Sequence, residues 1–236
     1  MKILAIESAL LVASVAIAQD DKLIAEYSVN HKKTHSQTLL PMIDEIVRMT
    51  DTDLNTLDAI AISGGPGSFT GLRIGSATAK GLALALKIPV VHVPTIDAMA
   101  YVMYGFDGLI CPMLDAKRAQ VYSGLYHFKD EFEIVKPQCA IDLKEFIDEI
   151  NEIGEPVVFL GDGVDAGYHI IEENIKVPYK LAPAHVNRQR AAAVAVLGQK
   201  YFAEGRIVSA ENEAPEYLRV SQAEREMAEK RRLMDL

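Results

Sequence analysis

Residues 63–75 read Ser-Gly-Gly-Pro-Gly-Ser-Phe-Thr-Gly-Leu-Arg-Ile-Gly, directly after the apolar run Ala59-Ile-Ala-Ile62. That order dictates a buried strand, a tight turn and a helix in immediate succession. A strand, a glycine-rich turn and a helix N-terminus together make a backbone site that can receive a phosphate or a carboxylate. The turn is not a Walker A loop, because no Gly-Lys-Ser/Thr closes it, and it is not the Gly-x-Gly-x-x-Gly of a dinucleotide fold. Gly67, Gly71, Gly75, Ala79 and Ala83 recur every fourth position, which on a helix places them along one face. Each helical glycine costs up to about 1 kcal/mol against alanine, so the stripe needs a close approach to offset it. The helix is either laid tightly on its own sheet or forms a groove for a partner helix.

The rest of the pattern alternates strands and helices. Residues 2–6, 13–18 and 23–29 read as a three-stranded meander with a turn at Asp20-Asp21. Residues 35–49 carry Leu39, Leu40, Ile43, Ile46 and Val47 at helical spacing, with Pro41 in the early part of the helix. Strands are expected at 58–63 and 88–93, and helices at 70–86 and 96–103. The second half repeats the theme: strands at 109–114 and 121–128, a turn at Asp130-Glu131, a helix at 143–153, a strand at 157–160 leading into Gly161-Asp-Gly163, and an alanine-rich helix at 190–204. The first strand of each half ends on an acid, Glu7 or Asp115. This repetition suggests a duplicated unit with its boundary near residues 105–108.

The chain has 236 residues, half of them hydrophobic, enough for one large domain or two small ones. A net charge of −9 argues against this chain alone gripping a nucleic-acid backbone. Local basic pairs remain candidates: Arg188 with Arg190, and Lys230-Arg-Arg232. Cys111 and Cys139 form no Cys-x-x-Cys pair and read as reduced thiols of a cytosolic protein. The N-terminus imitates a signal peptide with Ala16-Ile-Ala18, but Glu7 interrupts its apolar run, and strands are the expected reading. No run of about 18 uncharged apolar residues exists, so no transmembrane helix and no membrane partner are expected.

The run from Gly65 to Gly75 closely resembles the signature of the TsaB (YeaZ) family. The resemblance extends to Ile3-Leu-Ala-Ile6, His35-Ser-x-x-Leu-Leu-Pro41, Asp115-Ala-Lys-Arg118 with Val121-Tyr122, Gly161-Asp-Gly163 and Pro215-x-Tyr-Leu-Arg219. These motifs are collinear with the family's and span almost the whole chain. The resemblance implies an α/β fold of two ribonuclease-H-like subdomains, of the actin, Hsp70 and sugar-kinase class, with mixed sheets flanked by helices. Its units would be 1–104, bearing the partner-binding helices, with the C-terminal helix packing back on it; 105–220; and a charged tail, 221–236. It implies a cytoplasmic, non-catalytic subunit of the machinery that makes N6-threonylcarbamoyladenosine in tRNA. Such a subunit docks on the catalytic subunit TsaD through a four-helix contact. TsaE, an ATPase, binds the pair, and tRNA is held by the assembly. Alone, the chain would form a homodimer through the same surface. It would need no cofactor of its own, with ATP or ADP entering at the level of the complex. The interface residues expected here are His35, Leu39, Met42, Ile43, Ile46, Gly71, Gly75 and Ala79.

The competing reading is an independent enzyme, an actin-like ATP-dependent protein or a peptidase of the M22 type. Its vestigial nucleotide candidates are Glu7, Asp115, Gly161 and Gly163. Where TsaB relatives commonly carry Asp-Thr-Ser or Asp-Thr-Thr after the first strand, this chain has Glu7-Ser8-Ala9-Leu10-Leu11. TsaD carries a metal-binding histidine pair after the strand that corresponds to residues 89–93, and the positions here are Thr95 and Met99, poor replacements for imidazole. His92 has no histidine or cysteine four residues on. His31-x-x-x-His35 lacks an adjacent acid and holds Lys32 and Lys33, which repel a cation. Ser68 does not sit in a Gly-x-Ser-x-Gly elbow, and Cys111 lies in an apolar strand. No catalytic or metal-binding set is expected.

Overall fold

A computed structural model describes residues 1–215 and 217. The strands are β1 (Lys2–Glu7), β2 (Val12–Gln19), β3 (Lys22–Asn30), β4 (Ala59–Gly65), β5 (Val90–Pro94), β6 (Phe106–Asp115), β7 (Gln120–Phe128), β8 (Glu133–Asp142), β9 (Val157–Leu160) and β10 (Tyr179–Leu181). The helices are α1 (His35–Met49), α2 (Phe69–Leu86), α3 (Thr95–Tyr101), α4 (Leu143–Ile153), α5 (Asp162–Asn174) and α6 (Ala191–Ala203).

The strands form two mixed sheets, ordered β3-β2-β1-β4-β5 and β10-β9-β6-β7-β8. In each, an antiparallel meander of three strands is extended by parallel strands on the side of its first strand, as in β1 against β4 and β6 against β9. Both halves therefore have the ribonuclease-H-like topology.

Side-chain alternation on β1 shows how the first sheet is filled from both sides. Leu4 and Ile6 join Leu39, Ile43 and Ile46 of α1 and Ala79 and Ala83 of α2. Ile3 and Ala5 join Val194 and Leu197 of α6 on the opposite face. The second sheet packs α4 and α5 on one face and α3 on the other, where Ile96 and Met99 meet Ile110, Leu114 and Tyr126. The start of α6 is fastened to the first sheet: Ala191 N–H donates to Ser14 Oγ at 3.1 Å and Ala192 N–H to a Glu26 oxygen at 3.1 Å.

Three elements were not expected from the sequence: β8, α5 and β10. β8 is a half-exposed edge strand carrying Pro137, the position where a proline is tolerated and where the apolar signal is thin. α5 contains Gly163 and Gly167, which lower its intrinsic helix signal. β10 is a short outer strand of three residues. The charged tail 221–236, with Lys230-Arg-Arg232, lies outside the described residues.

Candidate functional site

The end of β1 is where a nucleotide-binding relative of this topology would place its first acid. Glu7 is buried, and one of its oxygens accepts the Ala9 N–H at 2.7 Å. The other has no hydrogen-bond partner among the described residues. Burial pushes this carboxyl up to about 7, against smaller downward effects of the Ala9 N–H and the Ser63 hydroxyl.

The turn that follows Glu7 is closed by the glycine-rich segment. Ser8 Oγ donates to the Gly71 carbonyl at 3.0 Å, and Ser68 N–H donates to the Ala9 carbonyl at 2.5 Å. His35 Nε2 lies 2.5 Å from the Leu10 carbonyl; a carbonyl only accepts, so this nitrogen carries the proton. A methyl group added at Gly67 would collide with the Ala9 carbonyl, one at Gly71 with the Ser8 carbonyl, and one at Gly75 with the Ser8 hydroxyl. The segment is therefore a plug. Its glycines let α2 lie directly against the turn, and the Ala9 and Leu10 carbonyls are already engaged.

The residues expected at the interface lie inside the folded chain. His35, Leu39, Met42, Ile43, Ile46 and Ala79 are all buried inside the chain, as are Gly71 and Gly75. Their stripe faces the chain's own sheet and turn. The opposite faces of α1 and α2 are exposed: Leu40 (56%) and Pro41 on α1, and Arg73, Ala77, Gly81, Leu84 (45%) and Ala85 on α2. A side chain added at Gly81 would meet open space. Arg73, Ala77, Gly81 and Ala85 repeat the four-residue spacing two positions out of phase with the buried stripe. The sequence contained that second stripe, but the denser glycine stripe masked it.

The second half treats its corresponding turn differently. Asp115 accepts the Lys117 N–H at 2.8 Å and pairs with the Lys117 ammonium. Burial raises the Asp115 carboxyl, but the bonds and charge of Lys117 outweigh it and hold the group below the usual carboxylate range. Lys117, Arg118 and Ala119 all have left-handed backbones, with φ of 63°, 59° and 56°, an arrangement that costs energy in non-glycine residues. An open cleft of about 310 Å³ lies between this turn, Leu143 and the α5 residues Gly163, Ala166, Gly167 and Ile170. Gly161, at φ 105°, precedes α5, and both it and Gly163 abut the backbone of β6 at Met113. Asp162 accepts the Asp115 N–H at 3.2 Å. The four vestigial candidates thus occupy two places: Glu7 under the plug, and Asp115, Gly161 and Gly163 around the end of β6.

The remaining candidates have structural partners. Thr95 shares a buried hydroxyl contact of 2.8 Å with Ser63, and Met99 lies in the core. No group of histidine, cysteine, aspartate or glutamate able to hold a metal occurs among the described residues. Burial pushes the Cys111 thiol up to about 12, so it carries no thiolate at neutral pH. Arg188 pairs with Asp165 and Arg190 with Glu26, which removes the basic patch suggested by the sequence.

A strap that returns from α6 was missed. Val208 bridges to Val90, and Glu213 accepts the Ser76 hydroxyl at 2.5 Å and lies 3.3 Å from His92 Nε2. Tyr217, from the Pro215-x-Tyr motif, stacks on Phe69 at 4.5 Å, and its hydroxyl accepts from Arg73 Nε at 3.0 Å. No helix among the described residues is long and apolar enough to cross a membrane.

Comparison with known proteins agrees with this architecture. The family described as TsaD, tRNA N6-adenosine threonylcarbamoyltransferase, matches residues 22–227. The tRNA threonylcarbamoyladenosine biosynthesis protein TsaB of Bacillus subtilis is 34% identical over 225 residues, covering 95% of this chain and 96% of that protein. The TsaB protein of Escherichia coli is 30% identical, covering 93% and 95%. A crystal structure of a Pseudomonas aeruginosa protein described as similar to the peptidase YeaZ superposes with a TM-score of 0.79 at 25% identity, over 92% of this chain and 99% of that one.

Proposed function

Because the chain belongs to the TsaB family of tRNA threonylcarbamoyladenosine biosynthesis proteins, we propose that it is the non-catalytic partner subunit that docks on TsaD through the outward faces of α1 and α2. The observation that carries this reading is the exposed strip Ala77-Gly81-Ala85 on α2, together with the exposed Leu84 on that helix and Leu40 on α1. Small residues let a second helix pair approach closely, and the flanking leucines provide apolar anchors for it.

The subunit contributes surface rather than chemistry. Glu7 sits under the plug, and the metal positions of the catalytic relative are Thr95 and Met99, both committed to packing. The chain has no cofactor of its own; ATP or ADP enters with TsaE when that ATPase binds the pair. The assembly holds the tRNA, since a chain of net charge −9 repels a phosphate backbone. The setting is the cytoplasm. Without TsaD, the same face closes a homodimer.

The open cleft beside Asp115 favours the second reading, an independent nucleotide-using enzyme. Light scattering after size exclusion, on the chain alone and mixed with its cognate TsaD, separates the two. A one-to-one heterodimer that displaces any homodimer, with no ATP turnover by the isolated chain, is the expected result. ATP turnover without any complex would sink the scaffold reading.

A further inference from the structure

Each half has its own sheet and its own core, and for two such lobes relative motion is the default unless the interface forbids it. α3 is the short helix that joins them, and it belongs to both cores. Ala98 packs with the first sheet's cluster, whereas Ile96, Met99 and Ala100 pack with the second. In the middle of α3 stands Asp97, only 4% exposed. Its two carboxylate oxygens are divided between the lobes. Oδ1 accepts the Tyr126 hydroxyl of β7, in the second sheet, at 2.8 Å. Oδ2 accepts the Tyr201 hydroxyl of α6, which packs on the first sheet, at 3.1 Å.

We propose that Asp97, with Tyr126 and Tyr201, is an interlock that holds the two sheets as one rigid body and suppresses rotation of one lobe against the other. A buried carboxylate is tolerated only while its hydrogen bonds are intact. Rotation of either lobe about α3 would strip a phenol from one oxygen and leave that oxygen buried and unpaired. The surroundings tighten the arrangement. Phe132 stacks on Tyr126 at 5.4 Å and meets Tyr101 edge-on at 5.2 Å. The Arg206 guanidinium lies 3.5 Å from the Tyr201 ring centre. Thr95 pins the start of α3 to Ser63 of β4. Burial also raises the Asp97 carboxyl, with the two phenols acting against it, so the charge on Asp97 depends on keeping both. A subunit locked in this way presents a fixed surface, and ligand-driven closure of the kind a two-lobed enzyme needs is absent. The inference does not depend on which partner the chain docks with.

Spin labels at Asn55→Cys and Glu152→Cys, in a Cys139→Ser background, report the distance between the lobes by pulsed dipolar spectroscopy. The expected result is one narrow distance for the otherwise unaltered chain. The Tyr126→Phe/Tyr201→Phe pair should broaden it or add a second distance, while hydrogen exchange within each sheet stays slow. If the double variant fails to fold, Tyr201→Phe alone should give an intermediate broadening. A broad distance in the unaltered chain, or an unchanged narrow one in the variants, overturns the interlock.

Discussion

The turn after β1 and the turn after β6 occupy the same place in two copies of one topology, and they have been put to different uses. After β1, Ser8 and Ala9 are covered by Gly67, Gly71 and Gly75, and α2 is pressed against the sheet's end. After β6, the turn is charged and stays open beside a cleft. The charge balance follows the same division. Residues 1–104 carry 10 acidic and 8 basic side chains, whereas residues 105–181 carry 15 and 7. Burying a face of the nearly neutral half would strip water from fewer charges, and the acidic half repels a polyanion more strongly. A shared fold thus does not carry a shared site, because the site depends on a few residues at strand ends.

The comparison breaks most sharply at the plug. Gly71→Val should destabilise the chain by about 3 kcal/mol or more, since the new side chain meets the Ser8 backbone rather than a movable side chain. Gly163→Val should have a similar effect, because it meets the backbone of β6. Chemical denaturation of both variants checks this, and a neutral Gly71→Val would mean that the turn is not sealed.

The two strand-end acids should respond to pH with opposite signs. Glu7 has a raised carboxyl, so its contribution is full below the ordinary value of 4.5 and is lost as pH climbs through about 7. Glu7→Gln should therefore add stability above pH 7, by up to about 3 kcal/mol, and flatten the pH dependence between those values. Urea unfolding at pH 5 and pH 8 reads this out. Next in size is Gly81→Ala, on the exposed face of α2, which should stabilise by about 0.5–1 kcal/mol, because it removes a helical glycine without a clash. The smallest effect belongs to Asp115. Its lowered carboxyl gives a contribution that is present above its ordinary value of 3.8 and is lost as pH falls. Asp115→Asn should cost about 0.5 kcal/mol near neutral pH, as expected for a pair with an exposed lysine.

Much of the fold was legible because the strongest signals were periodic. α1 and α4 were read to their ends from apolar spacing, and the glycine-rich segment announced the passage from β4 to α2. The edge strand β8 was not legible, since half its side chains face water and Pro137 suppresses the strand signal. Nor was α5, whose glycines serve close packing on β6. The residues expected at the interface were named from apolar and small-residue spacing, and all of them are buried inside the chain. Apolar spacing reports which side of a helix is buried, and Leu39, Ile43 and Ile46 are buried in the chain's own core rather than at a contact. A docking face on these helices, as proposed, would have to use what that spacing leaves over: Leu40, Ala77, Gly81 and Leu84. The bond of Asp97 to Tyr201 and the strap at Glu213 join residues more than a hundred positions apart, that of Asp97 to Tyr126 residues 29 apart, and local pattern carries no trace of them.

For the proposed docking of TsaD on the outward faces of α1 and α2, the most direct measurement is the affinity of the cognate TsaD for the chain and for its Gly81→Arg variant, by calorimetry. Gly81 opens to solvent, so arginine there should leave the melting temperature within a few degrees of the original. Binding should fall by at least a hundredfold while the variant stays folded. A variant that binds TsaD as tightly as the unaltered chain would contradict that docking and move the contact to another surface.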